Sequence, residues 1–226
     1  MKVIDFFNRT VILRTDYNVP ISNRKITSSI RIDSSLKTIQ HILLGNPKRL
    51  IIISHMGRPK SEDLELSLRP VKKYLEKILN EPIFFGSLDA YLSVDAETIS
   101  EKIVLLENIR FYPEETKELS TTTEFREKLT SLGDIYINDA FGCSHRPHSS
   151  IIGINTPERY NGFLIEKERN YLENIFNQKG KKTLILGGSK ISDKIQLINN
   201  LIPKVDNILI GGGMAFTFLK YFGTKI

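Results

Sequence analysis

Six short, nearly unbroken apolar runs punctuate the chain: TVILR at 10–14, LIIIS at 50–54, IVLL at 103–106, DIYIN at 134–138, TLIL at 183–186 and NILI at 207–210. Continuous rather than alternating hydrophobicity predicts strands covered on both faces, the pattern of a parallel sheet. The last two runs lead straight into glycines and begin a second group.

Helical spacing fills the intervals. After Asp33, Leu36, Ile39 and Leu43 form one stripe that stops at Gly45. After Ser67, a second stripe runs through Leu68, Val71, Leu75, Ile78 and Leu79, with Pro70 tolerated in the first turn. The threonines at 121–123 are positioned to cap a third, running through Phe125 and Leu129 to Leu132 and ending at Gly133. Strands alternating with helices of this length predict right-handed βαβ units. The expected fold is therefore α/β: a Rossmann-like, three-layer parallel β-sheet with helices on both faces, followed by the first βα units of a second, similar domain. A charged helical stretch from Ile165 to Gln178, then Lys179-Gly180-Lys181-Lys182, marks the connection. We divide the chain into 1–166 and 167–226.

Composition narrows the class. Of 226 residues, 40% are hydrophobic and 26% charged, which is ordinary globular usage, and no repeat period is visible. The single cysteine, Cys143, has no internal partner, and the four histidines lack zinc-ligand spacing, so a reducing compartment is expected. The opening MKVIDFFNRT has no apolar core of signal-peptide length, and no run approaches the roughly 18 apolar residues of a membrane span. The expectation is a cytoplasmic protein without a membrane partner. The net charge of +6 comes from lysines dispersed over predicted helices, which reads as solvated surface. There is neither a clustered patch nor a docking motif for nucleic acid.

Ligands of open parallel sheets bind beyond the carboxyl ends of the strands. The first run leads into Asp16-Tyr17-Asn18-Val19-Pro20, and the second into His55-Met56-Gly57-Arg58-Pro59. The third leads into Glu107-Asn108-Ile109-Arg110, and the fourth into Asp139 through Arg146. That rim gathers His55, Arg58, Arg110 and Arg146, with Arg31 available from the segment entering the first helix. A lone arginine is commonly a surface ion pair of little weight. A set at matching strand ends is mutually repulsive without an anionic guest, and guanidinium forks suit phosphate and carboxylate. A small, multiply anionic ligand is expected. His55 taken alone also reads as a buried, satisfied histidine, and Asp16 or Asn18 as shaping the turn before Pro20.

In the second group, Gly187-Gly188-Ser189-Lys190-Ile191-Ser192-Asp193-Lys194 follows a strand and is expected to open a helix, placing backbone N–H groups and two lysines where phosphate sits. It has neither Walker spacing nor the dinucleotide G-x-G-x-x-G. Gly211, Gly212 and Gly213 follow the next strand, and they read equally as turn residues or as a close approach for a base or phosphate.

Taken in order, RTDYNVP, SHMGRP, LENIRFYPEE, NDAFGCSHRPHSS, GGSKISDK and GGGMAFTFLK make the chain resemble phosphoglycerate kinase along essentially its whole length. The resemblance implies a monomeric, two-domain, hinge-bending kinase that moves the acyl phosphate of 1,3-bisphosphoglycerate to Mg-ADP, giving 3-phosphoglycerate and ATP, in either direction. It implies that the first domain holds the acid and the second the nucleotide. Asp16 and Asn18 match the substrate loop, and Arg31, His55, Arg58, Arg110 and Arg146 the basic patch, with Arg31 also steadying the transferring group. Lys190 matches the lysine that neutralises the moving phosphoryl, and Lys194 the one that grips nucleotide phosphates. Gly188, Ser189 and Gly211 to Gly213 match nucleotide-side backbone. Ser189, Thr15 and Met56 depart from the family's usual alanine, valine and leucine. Against the family's usual length the chain reads as truncated at Ile226, so Mg-ATP or Mg-ADP is expected as substrate with its metal ligands elsewhere. Two functions stay open: phosphoryl transfer, or a non-catalytic fragment that binds only the phosphoglycerate anion.

Overall fold

A computed structural model describes residues 4–192 and 194–225; the first three residues, Asp193 of the GGSKISDK segment and Ile226 lie outside it. In chain order the strands are β1 (Thr10–Arg14), β2 (Ile21–Ser22), β3 (Lys25–Ile26), β4 (Arg49–Ile53), β5 (Ile83–Gly86), β6 (Ile103–Leu106), β7 (Ile135–Asn138), β8 (Glu158–Asn161), β9 (Thr183–Gly187) and β10 (Asn207–Gly211). The helices are α1 (Ile30–Asp33), α2 (Leu36–Leu44), α3 (Arg69–Leu79), α4 (Leu88–Ser93), α5 (Thr123–Thr130), α6 (Ser149–Ile152), α7 (Phe163–Asn177), α8 (Ile195–Leu201) and α9 (Gly213–Tyr221). The chain divides into two compact units, Met1–Arg169 and Asn170–Ile226, with the division inside α7.

The first unit is built on one six-stranded sheet in the order β5-β6-β4-β1-β7-β8, every pairing parallel. The apolar runs are unbroken because alternate residues feed opposite layers. Val11, Leu13, Leu50, Ile52, Ile103, Leu105, Ile135 and Ile137 pack with Ile39 and Ile42 of α2 and Val71 and Leu75 of α3. Ile12, Ile51, Ile53, Val104, Leu106 and Tyr136 pack with Leu88 and Tyr91 of α4 and Phe125 and Leu129 of α5. Side chains with no solvent exposure on both faces are what a central parallel strand requires, each such Ile or Leu contributing roughly 1.5–3 kcal/mol.

Several boundaries depart from the sequence-based expectation. The sheet gains two edge strands, β5 and β8, that the apolar pattern did not predict; β8 is Glu-Arg-Tyr-Asn, and none of its four residues is buried. An edge strand needs little hydrophobicity because one side of its ladder faces solvent. The third predicted helix stops at Thr130 rather than Leu132, and Thr122 at its start makes no side-chain cap. Gly133 serves instead as a close crossing, since a Cβ there would lie 2.8 Å from the Thr10 carbonyl oxygen. The GGSKISDK segment does not open the next helix but precedes it, with Lys194 as the N-cap residue of α8.

The second unit holds β9 and β10 as a parallel pair, with α8 and α9. Its buried centre is small: Leu186, Ile198 and Met214, flanked by Leu184, Ile191, Ile208 and Ile210. Ile185 and Leu209 alternate to the other face and are 75% and 56% exposed. Among the described residues no helix is long and apolar enough to cross a membrane.

Candidate functional site

The carboxyl ends of β1, β4, β6 and β7 open onto one rim of the first unit, and the turns beyond them are wired together by short polar bonds. Ser54 accepts from the Tyr17 N–H at 2.8 Å and donates to the Thr15 carbonyl at 2.9 Å, tying the end of β4 to that of β1. Gly57 N–H donates to Asn18 Oδ1 at 2.9 Å, and Arg110 Nη1 donates to the Gly57 carbonyl at 2.6 Å. Asn108 receives the Met56 N–H at 3.1 Å and returns its own amide N–H to the Met56 carbonyl at 2.8 Å. Gly57 takes φ +60°, a left-handed turn where a Cβ would strike Leu66 at 2.8 Å, so glycine is required there.

These turns place Asp16, Asn18, Arg31, His55, Arg58, Arg110 and Arg146 around one cavity of about 310 Å³, with Gly57, Gly142 and Cys143 completing the wall. All seven rim residues expected from the sequence therefore line a single space. A second cavity of about 600 Å³ shares Arg58, Arg110 and Arg146 and adds Lys60, Lys117 and His148. Among the described residues Asp16 is the only carboxylate lining the first cavity, and its Oδ2 accepts from Arg31 Nη1 at 2.5 Å. Arg31 and Arg58 are exposed, whereas Arg110 is 9% exposed and its buried Nε has no partner among the described residues.

The electrostatics of the rim are set by burial and by like charges. Burial first, then Arg14 and Arg146, hold Arg110 below the usual guanidinium range. His55 is pushed down to about 2 by burial and the fields of Arg14 and Arg110, so it is neutral. His148 is pushed down to about 4, again by burial and then by Arg110 and Arg14.

Beneath the rim lies a group that the sequence did not disclose. Arg14 has no solvent exposure, and it donates through Nε to Ser150 Oγ at 2.6 Å and through Nη1 to the Thr15 carbonyl. Its Nη2 lies 3.3 Å from His55 Nδ1 and 3.6 Å from Glu115 Oε1. Glu115, also fully buried, accepts from the Ser150 hydroxyl at 2.6 Å and the Ser150 N–H at 2.9 Å, and His148 Nδ1 lies 3.6 Å from it. The available signal was a charged residue closing an otherwise apolar run. Its partners Glu115 and Ser150 stand inside the LENIRFYPEE and NDAFGCSHRPHSS motifs, but nothing in the sequence pairs them with Arg14, Ser150 lying 136 residues further along.

In the second unit, Lys190 is exposed and Lys194 half-buried, beside Gly188 and Ser189 in the loop after β9. The glycines after β10 have a packing role. Gly212 takes φ +67° and passes so close that a Cβ would lie 2.9 Å from the Gly188 carbonyl oxygen, and one on Gly213 would lie 3.2 Å from that of Ser189. The two glycine-bearing loops thus touch backbone to backbone, and Met214 N–H donates to the Gly188 carbonyl at 2.9 Å. Gly211 meets nothing nearer than 3.9 Å.

An open parallel sheet whose carboxyl rim carries four arginines around one small cavity defines an α/β protein of the ligand-at-the-strand-end class. The family model described as phosphoglycerate kinase matches residues 1–226, and the chain belongs to the phosphoglycerate kinase family. It is 45% identical to the phosphoglycerate kinase of Dictyostelium discoideum over 98% of this chain and 57% of that relative, and 42% identical to that of Saccharomyces cerevisiae over 96% and 56%. The solved phosphoglycerate kinase of Coxiella burnetii superposes with TM-score 0.81 at 33% identity, covering 100% of this chain and 57% of that one. The chain spans little more than half the length of these relatives.

Proposed function

We propose that the chain serves reversible phosphoryl transfer between 1,3-bisphosphoglycerate and ADP, giving 3-phosphoglycerate and ATP, with its first unit holding the acid. The observation that carries this reading is the convergence of Arg31, Arg58, Arg110, Arg146 and the neutral His55 on one cavity that also holds the carboxylate of Asp16. Such a cavity matches a small ligand bearing a phosphate and a carboxylate. Arg31, steadied by Asp16, faces the anion and neutralises charge at the transferring group, while Asn18 and His55 orient the acid.

In the second unit, Lys190 balances the phosphoryl in flight and Lys194 the nucleotide phosphates, with Gly188, Ser189, Gly211, Gly212 and Gly213 supplying close backbone. Transfer of this kind is in-line and needs no protein nucleophile; positioning and charge neutralisation supply the rate. Magnesium enters with ADP or ATP as part of the substrate. A reducing, cytoplasmic setting suits Cys143, which is buried and unpaired.

A second reading is binding of the phosphoglycerate anion without transfer, which the basic cavity of the first unit can serve by itself. A coupled assay for ADP formed from ATP separates the two. ADP release that depends on 3-phosphoglycerate supports transfer, binding without turnover supports the second reading, and neither result sinks both.

A further inference from the structure

An arginine side chain has only donors, so the nitrogen it addresses on a histidine must be an acceptor. Arg14 Nη2 addresses His55 Nδ1 at 3.3 Å, and the opposite ring nitrogen, Nε2, stands 3.9 Å from Asp16 Oδ1, beyond hydrogen-bond distance; His55 and Asp16 both line the anion cavity. Arg14 cannot swing away. Ser150 Oγ holds its Nε, the Thr15 carbonyl its Nη1, and Glu115 balances its charge where no water reaches either group.

We infer that Arg14, locked by Glu115 and Ser150, is a positioning residue that fixes His55 as the neutral Nε2–H tautomer, so that His55 meets the anion as a directed hydrogen-bond donor and not as a cation. This rests on the reading of the cavity as the phosphoglycerate site, but the tautomer can be judged separately. A neutral donor adds direction without adding a fifth positive charge to a rim that already holds Arg31, Arg58, Arg110 and Arg146. It also explains why a buried arginine and a buried glutamate, each costly alone, stand directly beneath the rim. Such pairs contribute little stability relative to apolar residues, but they hold a geometry.

The test uses the full chain labelled with ¹⁵N in its histidines. Long-range ¹⁵N–¹H imidazole correlations at neutral pH are expected to show His55 protonated at Nε2 only, and calorimetric titration with 3-phosphoglycerate is run on the same sample. In Arg14→Lys the charge remains while the fork that reaches Ser150, Thr15 and His55 together is lost. The expected result is a mixed His55 tautomer and about tenfold weaker binding, the effect of losing one well-directed bond to a charged ligand. Should that variant fail to fold, Ser150→Ala frees the Arg14 Nε and is expected to move both readouts in the same direction. A His55 ring protonated at Nδ1, or at both nitrogens, overturns the inference whether or not the ligand binds. Unchanged tautomer and affinity in a folded variant also overturn it. The Nε2–H tautomer in a parent chain that does not bind supports the inference and overturns the reading of the cavity.

Discussion

Asn108 pairs with the backbone of Met56 through both ends of its amide, accepting the N–H at 3.1 Å and donating to the carbonyl at 2.8 Å, as a neighbouring strand residue would. A third bond reaches the Leu66 carbonyl at 2.9 Å. This one side chain, with no solvent exposure, holds the turn that carries Arg58 against the turn that carries Arg110. Asn108→Ala strands a buried donor and a buried acceptor, and it is expected to cost about 2–4 kcal/mol in urea unfolding. It should also weaken 3-phosphoglycerate binding at temperatures where the variant is still folded. Full affinity in a destabilised variant would show that the turns hold their geometry without it.

Gly142 lies so near the Asp16–Arg31 pair that a Cβ would meet Asp16 Oδ2 at 2.7 Å. Gly142→Ala therefore pushes Asp16 off Arg31 without touching the core. The expected outcome is about a tenfold loss of anion affinity, the scale of one charge-assisted bond, with a stability change under about 1 kcal/mol because Arg31 is half exposed. Calorimetry and thermal unfolding of the same variant check both halves.

Much of this arrangement was legible in the chain because the four central strands are unbroken apolar runs, and whatever follows such a run must emerge at the rim. Arg58, Arg110 and Arg146 were found that way. The edge strand β8 was hidden by its own polarity: it reads Glu-Arg-Tyr-Asn, which no apolar pattern marks, whereas β5 is a short apolar Ile-Phe-Phe-Gly run passed over between two helices. Arg14 was hidden for the opposite reason. It reads as the polar end of TVILR, and its burial depends on Glu115 and Ser150, which only the folded sheet brings to it. The glycines after β10 permitted two readings in the sequence, and the close approach of Gly212 to Gly188 shows the packing half of that choice.

Asp139 lies beyond β7, but its carboxylate turns to structure. Its Oδ1 accepts from the Leu164 N–H at 2.8 Å and the Ile165 N–H at 3.3 Å, at the start of α7, while Oδ2 accepts from Thr38 at 2.6 Å. Burial raises its pKa against these bonds. Asp139→Ala leaves those donors without their acceptor and is expected to cost about 2–4 kcal/mol. Asp139→Asn, which keeps an acceptor oxygen, should cost less. Equal losses for the two variants, measured by denaturant unfolding, would contradict the capping role.

Stability should fall as the solution is acidified from neutrality. His55 and His148 are held down to about 2 and about 4 from an ordinary 6.5, so below pH 6.5 the unfolded chain takes up protons that the folded chain refuses. Their contribution is complete above 6.5 and is lost as pH drops, with His55 alone accounting for about 2 kcal/mol between pH 6.5 and 5. Glu115 and Asp139 act in the opposite sense, since burial raises them and the folded chain protonates them first. Urea midpoints across this range check the sign, and His55→Gln should flatten the slope.

Whether the first unit's cavity holds the acid is open to direct measurement. Calorimetric titration of the chain with 3-phosphoglycerate, repeated with Arg58→Ala and at raised salt, is expected to show one site in the millimolar range or tighter. That site should be weakened at least tenfold by the substitution and progressively by salt. No heat of binding in the millimolar range, or equal affinity in Arg58→Ala, would contradict it.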